Sequence, residues 1–318
     1  MRILVTGASG FVGRHTVPHL AGLGHHVRAA LRRPEAAFPE EVAETVIVPE
    51  VGPDTDWSAA LDGIEAVVHL AARVHVMKDT APDPLAAFRR VNTEGTRRLA
   101  EAAAAGGVKR LVHLSSVKAL ADEGRDEPLD EATTPDPHSP YGLSKLEAER
   151  ALTEIATRSG LEVAVIRPPL VYGPGVGGNF LTLLKAVSAG LPLPLGALEN
   201  RRSLIYAGNL ADAIATCLTH PQAAGGRFLV HDGRPYSTAE LVRALGEALG
   251  RPARLLKAPP SLLKLGARMT GRTAMFDRVA GSLTVEDGAI RRALGWSPPF
   301  DPAIGLRATA GWFKASGC

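Results

Sequence analysis

The sequence predicts a doubly wound α/β protein, a parallel sheet followed by a smaller, interwoven C-terminal lobe. Three observations carry that prediction. Short apolar runs with little alternation recur through the first half, separated by helix-like segments. Runs of that texture are strands buried on both faces. A glycine-rich turn joins the first run directly to the first helix-like segment. After Arg167 the texture changes, because Pro168, Pro169, Gly173, Pro174, Gly175, Gly177 and Gly178 interrupt any regular element. Such a stretch marks a loop leaving the sheet.

In order, the strand-like runs are Arg2–Thr6, His26–Leu31, 45–48, 66–70, 110–115 and Glu162–Arg167. The helix-like segments between them are 11–23, 57–61, 85–105 and 141–159. Strand, helix and strand in alternation build a parallel sheet through crossover connections. Beyond the proline-rich loop, further helices are expected at 180–189, 209–218 and 239–249, with strands at 203–206 and 227–230. The division expected is a sheet-forming domain over 1–168 and a second lobe over 169–318, with 203–231 returning to the sheet.

Composition narrows the class. The chain has 318 residues, 45% hydrophobic and 22% charged, ordinary for a globular protein. That length buries a large core without disulfides or metals. The two cysteines, Cys217 and Cys318, cannot make a metal cluster alone, and a reduced, cytoplasmic setting suits them. Net charge is +3, the charges read as interspersed, and aromatic residues are only 5%. This argues against a nucleic-acid partner. No apolar run reaches the roughly 18 residues of a membrane span, so no membrane insertion is expected.

The turn after the first strand reads Thr6-Gly7-Ala8-Ser9-Gly10-Phe11-Val12-Gly13. Glycines at this spacing allow a tight turn, close approach to a pyrophosphate and close helix–strand packing. The helix N-terminus then supplies N–H groups to the anion. Cofactor choice should be written after the second strand, where an acidic residue would bind the ribose 2′-hydroxyl of NAD. The chain has Ala30-Leu31-Arg32-Arg33-Pro34 there, with no carboxylate. Arg32 suits a 2′-phosphate, which inclines the reading from NAD toward NADP; the alternative is that both arginines are solvated loop charges.

Tyr141-Gly142-Leu143-Ser144-Lys145 places Tyr141 and Lys145 four apart, on one helix face. A tyrosine loses its proton near pH 10. A neighbouring ammonium favours the phenolate and makes Tyr141 a usable acid/base. Ser115 and Ser116 end the fifth strand, on the edge of the sheet that faces the ligand crevice.

Together with HLAA at 69–72, VNTEGT at 91–96, SSVKA at 115–119 and RPPLVYGPG at 167–175, these motifs resemble the extended short-chain dehydrogenase/reductases of the NAD-dependent epimerase/dehydratase type. The resemblance spans nearly the whole chain. It implies a Rossmann domain with a substrate lobe, and a homodimer through helices 85–105 and 141–159. It implies that Gly7, Gly10, Phe11, Val12 and Gly13 cradle the dinucleotide pyrophosphate. Leu70, Ala71, Ala72 and Pro168 would line the cofactor, and Asn92 would shape the site indirectly. Ser116, Tyr141 and Lys145 would be catalytic, with Tyr141 and Lys145 also at the cofactor, Lys145 on its ribose, and Ser115 structural.

The second half resembles enzymes acting on UDP-sugars. By that resemblance Asn179 and Arg202 would contact the substrate diphosphate and Leu195 the nucleobase. Lys118 and His75 would sit over the sugar, and Arg278 would reach the nucleotide. Dehydratases of this type carry Asp-Glu after the catalytic serine, whereas here Val117-Lys118 follows Ser116. That argues against dehydration and leaves redox chemistry at C4 of a UDP-hexose or UDP-HexNAc. Arg32 inclines the expectation to a 4-keto-sugar reductase, with a 4-epimerase as the alternative. A third reading, a non-enzymatic NADP-binding sensor or structural subunit, fits poorly with an intact Ser116, Tyr141 and Lys145.

Overall fold

The computed structural model describes residues 1–34, 44–74, 81–125, 127–271 and 273–317. His75 and Cys318 lie outside them, as does the side chain of Arg278.

The first half folds as the alternation of apolar runs requires. Strands β1 (Arg2–Thr6), β2 (His26–Leu31), β3 (Glu44–Ile47), β4 (Ala66–His69), β5 (Arg110–Leu114) and β6 (Glu162–Arg167) all pair in parallel. Between them run helices α1 (Gly13–Gly22), α2 (Ser58–Leu61), α3 (Pro84–Phe88), α4 (Gly95–Ala105) and α5 (Pro140–Ser159). A short strand β7 (Leu170–Tyr172) follows, then α6 (Gly178–Ser188), β8 (Leu204–Tyr206), α7 (Ala207–Thr219) and β9 (Arg227–Leu229). The chain ends in α8 (Thr238–Ala248), α9 (Pro260–Met269), α10 (Thr273–Ala280), α11 (Gly288–Leu294) and α12 (Pro302–Ala315).

The main sheet has seven strands in the order β3-β2-β1-β4-β5-β6-β9. Alternate strand residues feed two cores. Ile3, Val5, Val27, Val68 and Ile166 face α1, α7 and α11 on one side. Leu4, Val67, Leu111, Val163 and Val165 face α2, α4 and α5 on the other. Both faces are therefore dry, which is why the strands read as continuous apolar runs.

Within 203–231 the two expected strands part company. β9 joins the main sheet beside β6, whereas β8 pairs with β7 in a separate two-stranded sheet. This pair belongs to a third core with Phe180, Leu184, Leu241, Leu245, Leu306 and Phe313, from α6, α8 and α12.

The helix expected over 85–105 is three pieces. Asp83 caps α3 through Ala86 N–H, and a π-helical turn over Arg89–Glu94 separates α3 from α4. Periodicity alone does not reveal that turn, because the buried Phe88, Leu99 and Ala103 stand at a spacing that an uninterrupted α-helix would also give. The turn carries Asn92, and its role belongs to the site.

Candidate active site

The strand order reverses between β1 and β4, opening a crevice at their C-terminal ends, where open α/β sheets bind ligands. Gly7 leaves β1 and accepts a hydrogen bond from Gly10 N–H at 3.0 Å. No side chain caps the start of α1, so its first turn is available to an anion. Gly13 is dictated by packing: a Cβ there would stand 2.3 Å from Ala8 O and 2.4 Å from Gly7 O. Across the crevice, Leu70 N–H donates to Thr6 O at 3.2 Å and Ala71 N–H to Thr6 Oγ1 at 3.3 Å. Phe11, Val12, Leu70, Ala71 and Ala72 are half-buried around this cleft. A helix start with no side-chain cap, behind a loop of closely spaced glycines, fits a dinucleotide pyrophosphate. Arg32 is exposed just past β2.

Ser116 and Tyr141 meet at the end of β5. Ser116 is extended, and its Oγ accepts Lys118 N–H at 3.1 Å. Tyr141 stands in the first turn of α5, behind Pro140 and the cap Ser139, whose Oγ accepts Gly142 N–H at 3.1 Å. A Cβ on Gly142 would fall 2.4 Å from Lys118 O, so only glycine lets the start of α5 approach the turn after Ser116. Burial pushes the Tyr141 phenol up, and its hydrogen bond with Ser116 pulls it back down.

Lys145 is held at the C-terminal end of β5. Its Nζ donates to Leu114 O at 2.7 Å and lies 3.2 Å from His113 Nε2. Burial lowers Lys145 to about 8, with Glu149 acting in the opposite sense. Beneath it, His69 bridges Thr6 Oγ1 at 2.7 Å and Thr96 Oγ1 at 3.0 Å, tying β1 and β4 to α4. Burial and then the Lys145 charge lower His69 to about 3, so this histidine is a neutral strut.

Two further contacts hold the serine strand and the post-β4 loop. Glu149, one helical turn beyond Lys145, accepts Ser115 Oγ–H at 2.5 Å and both arms of Arg167, Nε at 3.0 Å and Nη2 at 2.5 Å. The structural role expected for Ser115 is thus to dock β5 on α5. Asn92 accepts Arg73 N–H at 2.8 Å and donates to Arg73 O and Ser144 Oγ, both at 3.0 Å. Its amide is spent on scaffolding, which makes it a positioning residue.

Nothing in the sequence reading singled out Glu149, Arg167 or His113. The Tyr141–Lys145–Glu149 spacing was a usable signal, since three polar residues at i, i+4 and i+8 share one helix face, buried at Lys145 and Glu149.

The remaining candidates lie at and beyond the end of β6. Pro168 O accepts Val117 N–H at 3.0 Å, joining the ends of β5 and β6. His15 Nε2 lies 2.8 Å from Pro174 O, which anchors the following loop over α1. Asn179 is exposed at the start of α6, and Leu195 is half-buried against the third core. Arg202 is half-buried, and burial lowers its guanidinium pKa. Its backbone pairs with Tyr236 and Leu283. The Lys118 ammonium is held on Asp122 O. Beside β7, β8 and the start of α7 lies a buried network that the sequence reading missed. Asp232 accepts Tyr172 Oη–H and Asn209 Nδ2–H, each at 2.8 Å, and Tyr206 N–H at 2.9 Å.

Comparison with known proteins agrees with this geometry. Residues 3–230 match the family described as NAD dependent epimerase/dehydratase. A UDP-glucose 4-epimerase of Vibrio cholerae is 41% identical over 312 residues, covering 97% of this chain and 94% of that one. A 3-diazoavenalumate denitrifying reductase of Streptomyces is 32% identical, covering 94% and 96%. Among solved structures, the UDP-glucose 4-epimerase of Thermus thermophilus, complexed with NAD, superposes with a TM-score of 0.76 at 27% identity, covering 99% and 100%. The seven-stranded sheet, the cradle at its switch point and the full-length likeness leave one conclusion: this chain is an enzyme of the NAD-dependent epimerase/dehydratase family, within the extended short-chain dehydrogenase/reductases.

Proposed function

We propose that the enzyme interconverts the C4 epimers of a UDP-hexose with NAD retained between turnovers, rather than performing the one-way reduction that Arg32 suggested. The observation that carries this reading is the 41% identity to a UDP-glucose 4-epimerase over 97% of the chain, substrate lobe included. The dinucleotide, when bound, supplies a hydride acceptor and donor. Tyr141 takes the proton from the C4 hydroxyl and returns it, and Ser116 holds the same oxygen through its hydroxyl. Lys145 keeps positive charge under the catalytic corner from its seat on Leu114 O. Val117 and Lys118 offer no carboxylate after Ser116, so nothing at those positions drives elimination. In the second lobe Arg202 and Asn179 take the diphosphate, Leu195 the nucleobase side and Lys118 the sugar side. The same reading divides the chain near 168, pairs two copies through helices 85–105 and 141–159, and places the enzyme in the cytoplasm.

A reductase reading keeps one specific support, the Arg32–Arg33 pair with no acidic residue beside it. The test is to denature the purified protein, identify the released dinucleotide by mass spectrometry, and incubate the native enzyme with UDP-galactose without added cofactor. Stoichiometric NAD and appearance of UDP-glucose are expected. An empty site, no UDP-glucose from UDP-galactose, and NADPH oxidised only when a UDP-4-keto-6-deoxy-hexose is supplied would overturn the epimerase. Tyr141→Phe should retain the dinucleotide and lose about 10²–10⁴ in rate; full activity in that variant would remove Tyr141 from the chemistry.

A further inference from the structure

The protein's basic charge is concentrated in one place. Between Glu247 and Asp277 the chain carries Arg251, Arg254, Lys257, Lys264, Arg268 and Arg272 and no acidic residue. The rest of the chain has 30 basic against 33 acidic residues, so this stretch accounts for the whole positive balance. Charges that read as interspersed along the chain are in fact asymmetric.

Helix α9 lies within the same stretch. α9 has no buried residue, and it packs against α10. Leu262, Leu265 and Met269 are 61%, 54% and 81% exposed. At positions i, i+3 and i+7 they form a single apolar stripe. Lys264 and Arg268 are exposed on the same helix, and Leu256, just before it, is 55% exposed. Contiguous exposed apolar side chains of this kind mark an interaction site rather than ordinary surface.

Both stems of the α9–α10 hairpin grow out of the proposed substrate elements. On the way in, Leu193 N–H donates to Arg254 O at 2.8 Å and Gly196 N–H to Leu256 O at 2.9 Å, flanking Leu195. On the way out, Asn200 Nδ2 donates to Val279 O at 3.2 Å and Gly281 O at 3.1 Å. Ser203 N–H donates to Leu283 O at 2.9 Å, next to Arg202.

We infer that α9, with its basic flanks, docks the enzyme on the surface of an anionic phospholipid bilayer. An exposed apolar stripe on a helix that also carries Lys264 and Arg268, in a stretch with no acidic residue between Glu247 and Asp277, is complementary to a surface that is negative outside and apolar just beneath. The docking is peripheral, because among the described residues no helix is long and apolar enough to cross a membrane. Seated in this way, the hairpin holds the substrate lobe against the lipid headgroups.

The test uses the full-length protein and sucrose-loaded vesicles of phosphatidylcholine alone, or of phosphatidylcholine and phosphatidylglycerol at 3:1. Wild-type protein should sediment with the anionic vesicles, remain in solution with the neutral ones, and release as salt rises. Lys264→Glu with Arg268→Glu should weaken partitioning by about thirtyfold or more. Leu262→Asp with Leu265→Asp should abolish it. Both double variants alter exposed side chains, so their circular dichroism and Tm should match the wild type. Absence of wild-type protein from the anionic pellet overturns the proposal, as does equal sedimentation of the variants. Concentration-dependent self-association lost in the leucine variant, without vesicle binding, would assign the face to a second copy instead.

Discussion

Replacing Lys145 by methionine removes a cation that the fold holds at an energetic disadvantage. The side chain is 1% exposed, and burial lowers its pKa from 10.5 to about 8. Below pH 8 the ammonium is protonated in both folded and unfolded chains, and the folded state carries the full penalty. Between pH 8 and 10.5 the folded protein sheds the proton while the unfolded chain keeps it. The unfolded state then binds more protons, and stability rises with pH. At about 1.4 kcal/mol for each pH unit, the drop from 10.5 to about 8 amounts to about 3 kcal/mol. Other groups titrate in the same range: burial lifts the Cys217 thiol to about 12 and raises the Tyr172 phenol. They are common to both proteins and cancel in the difference. Urea unfolding of wild type and Lys145→Met at intervals from pH 7 to 11 should therefore show the wild type gaining about 3 kcal/mol on the variant. Parallel profiles, differing by less than about 0.5 kcal/mol across that range, would refute the argument that burial strains this ammonium.

Two further outcomes follow from packing. Glu149→Gln leaves the Arg167 guanidinium, 3% exposed, without its counter-charge. Breaking such a pair should lower unfolding stability by about 3–5 kcal/mol in urea titrations, and a loss under 1 kcal/mol would mean that solvent reaches the pair. Gly13→Ala drives a methyl group onto Ala8 O and Gly7 O. The purified variant should carry no dinucleotide and melt at lower temperature, and wild-type retention would show that the loop can yield.

Much of the fold was legible because parallel strands and their covering helices are local patterns. Leu4 and Val5 point to opposite cores, so an unbroken apolar run in β1 already states that both faces are buried. The glycine loop, the strand-end Ser116 and the Tyr141–Lys145 spacing were legible for a similar reason, since each is a short motif on one element or turn. The helix expected over 85–105 was misread at its middle. Asn92 bonds to Arg73, on the segment after β4, and that partner lies outside any local window. Leu204–Tyr206 was expected in the main sheet, yet it pairs with Leu170–Tyr172, because a strand run does not name its neighbour.

Sequence by itself determined which residues are apolar, where the chain must turn, and which chemical groups stand one helical turn apart. Tertiary structure alone decided where those groups point. Spacing put Lys145 on the helix face of Tyr141, and the fold seats its ammonium on Leu114 O and beside His113, because the C-terminal end of β5 offers acceptors that a buried cation needs. Glu149 became the partner of Ser115 and Arg167 only once α5 lay across β5 and β6. The basic stretch around α9 is written in the sequence, but its exposed leucines are not, since that amphipathic pattern fits a core-facing helix equally well. Burial and hydrogen bonding are decided between segments far apart in the chain, and one-dimensional spacing does not specify those distances.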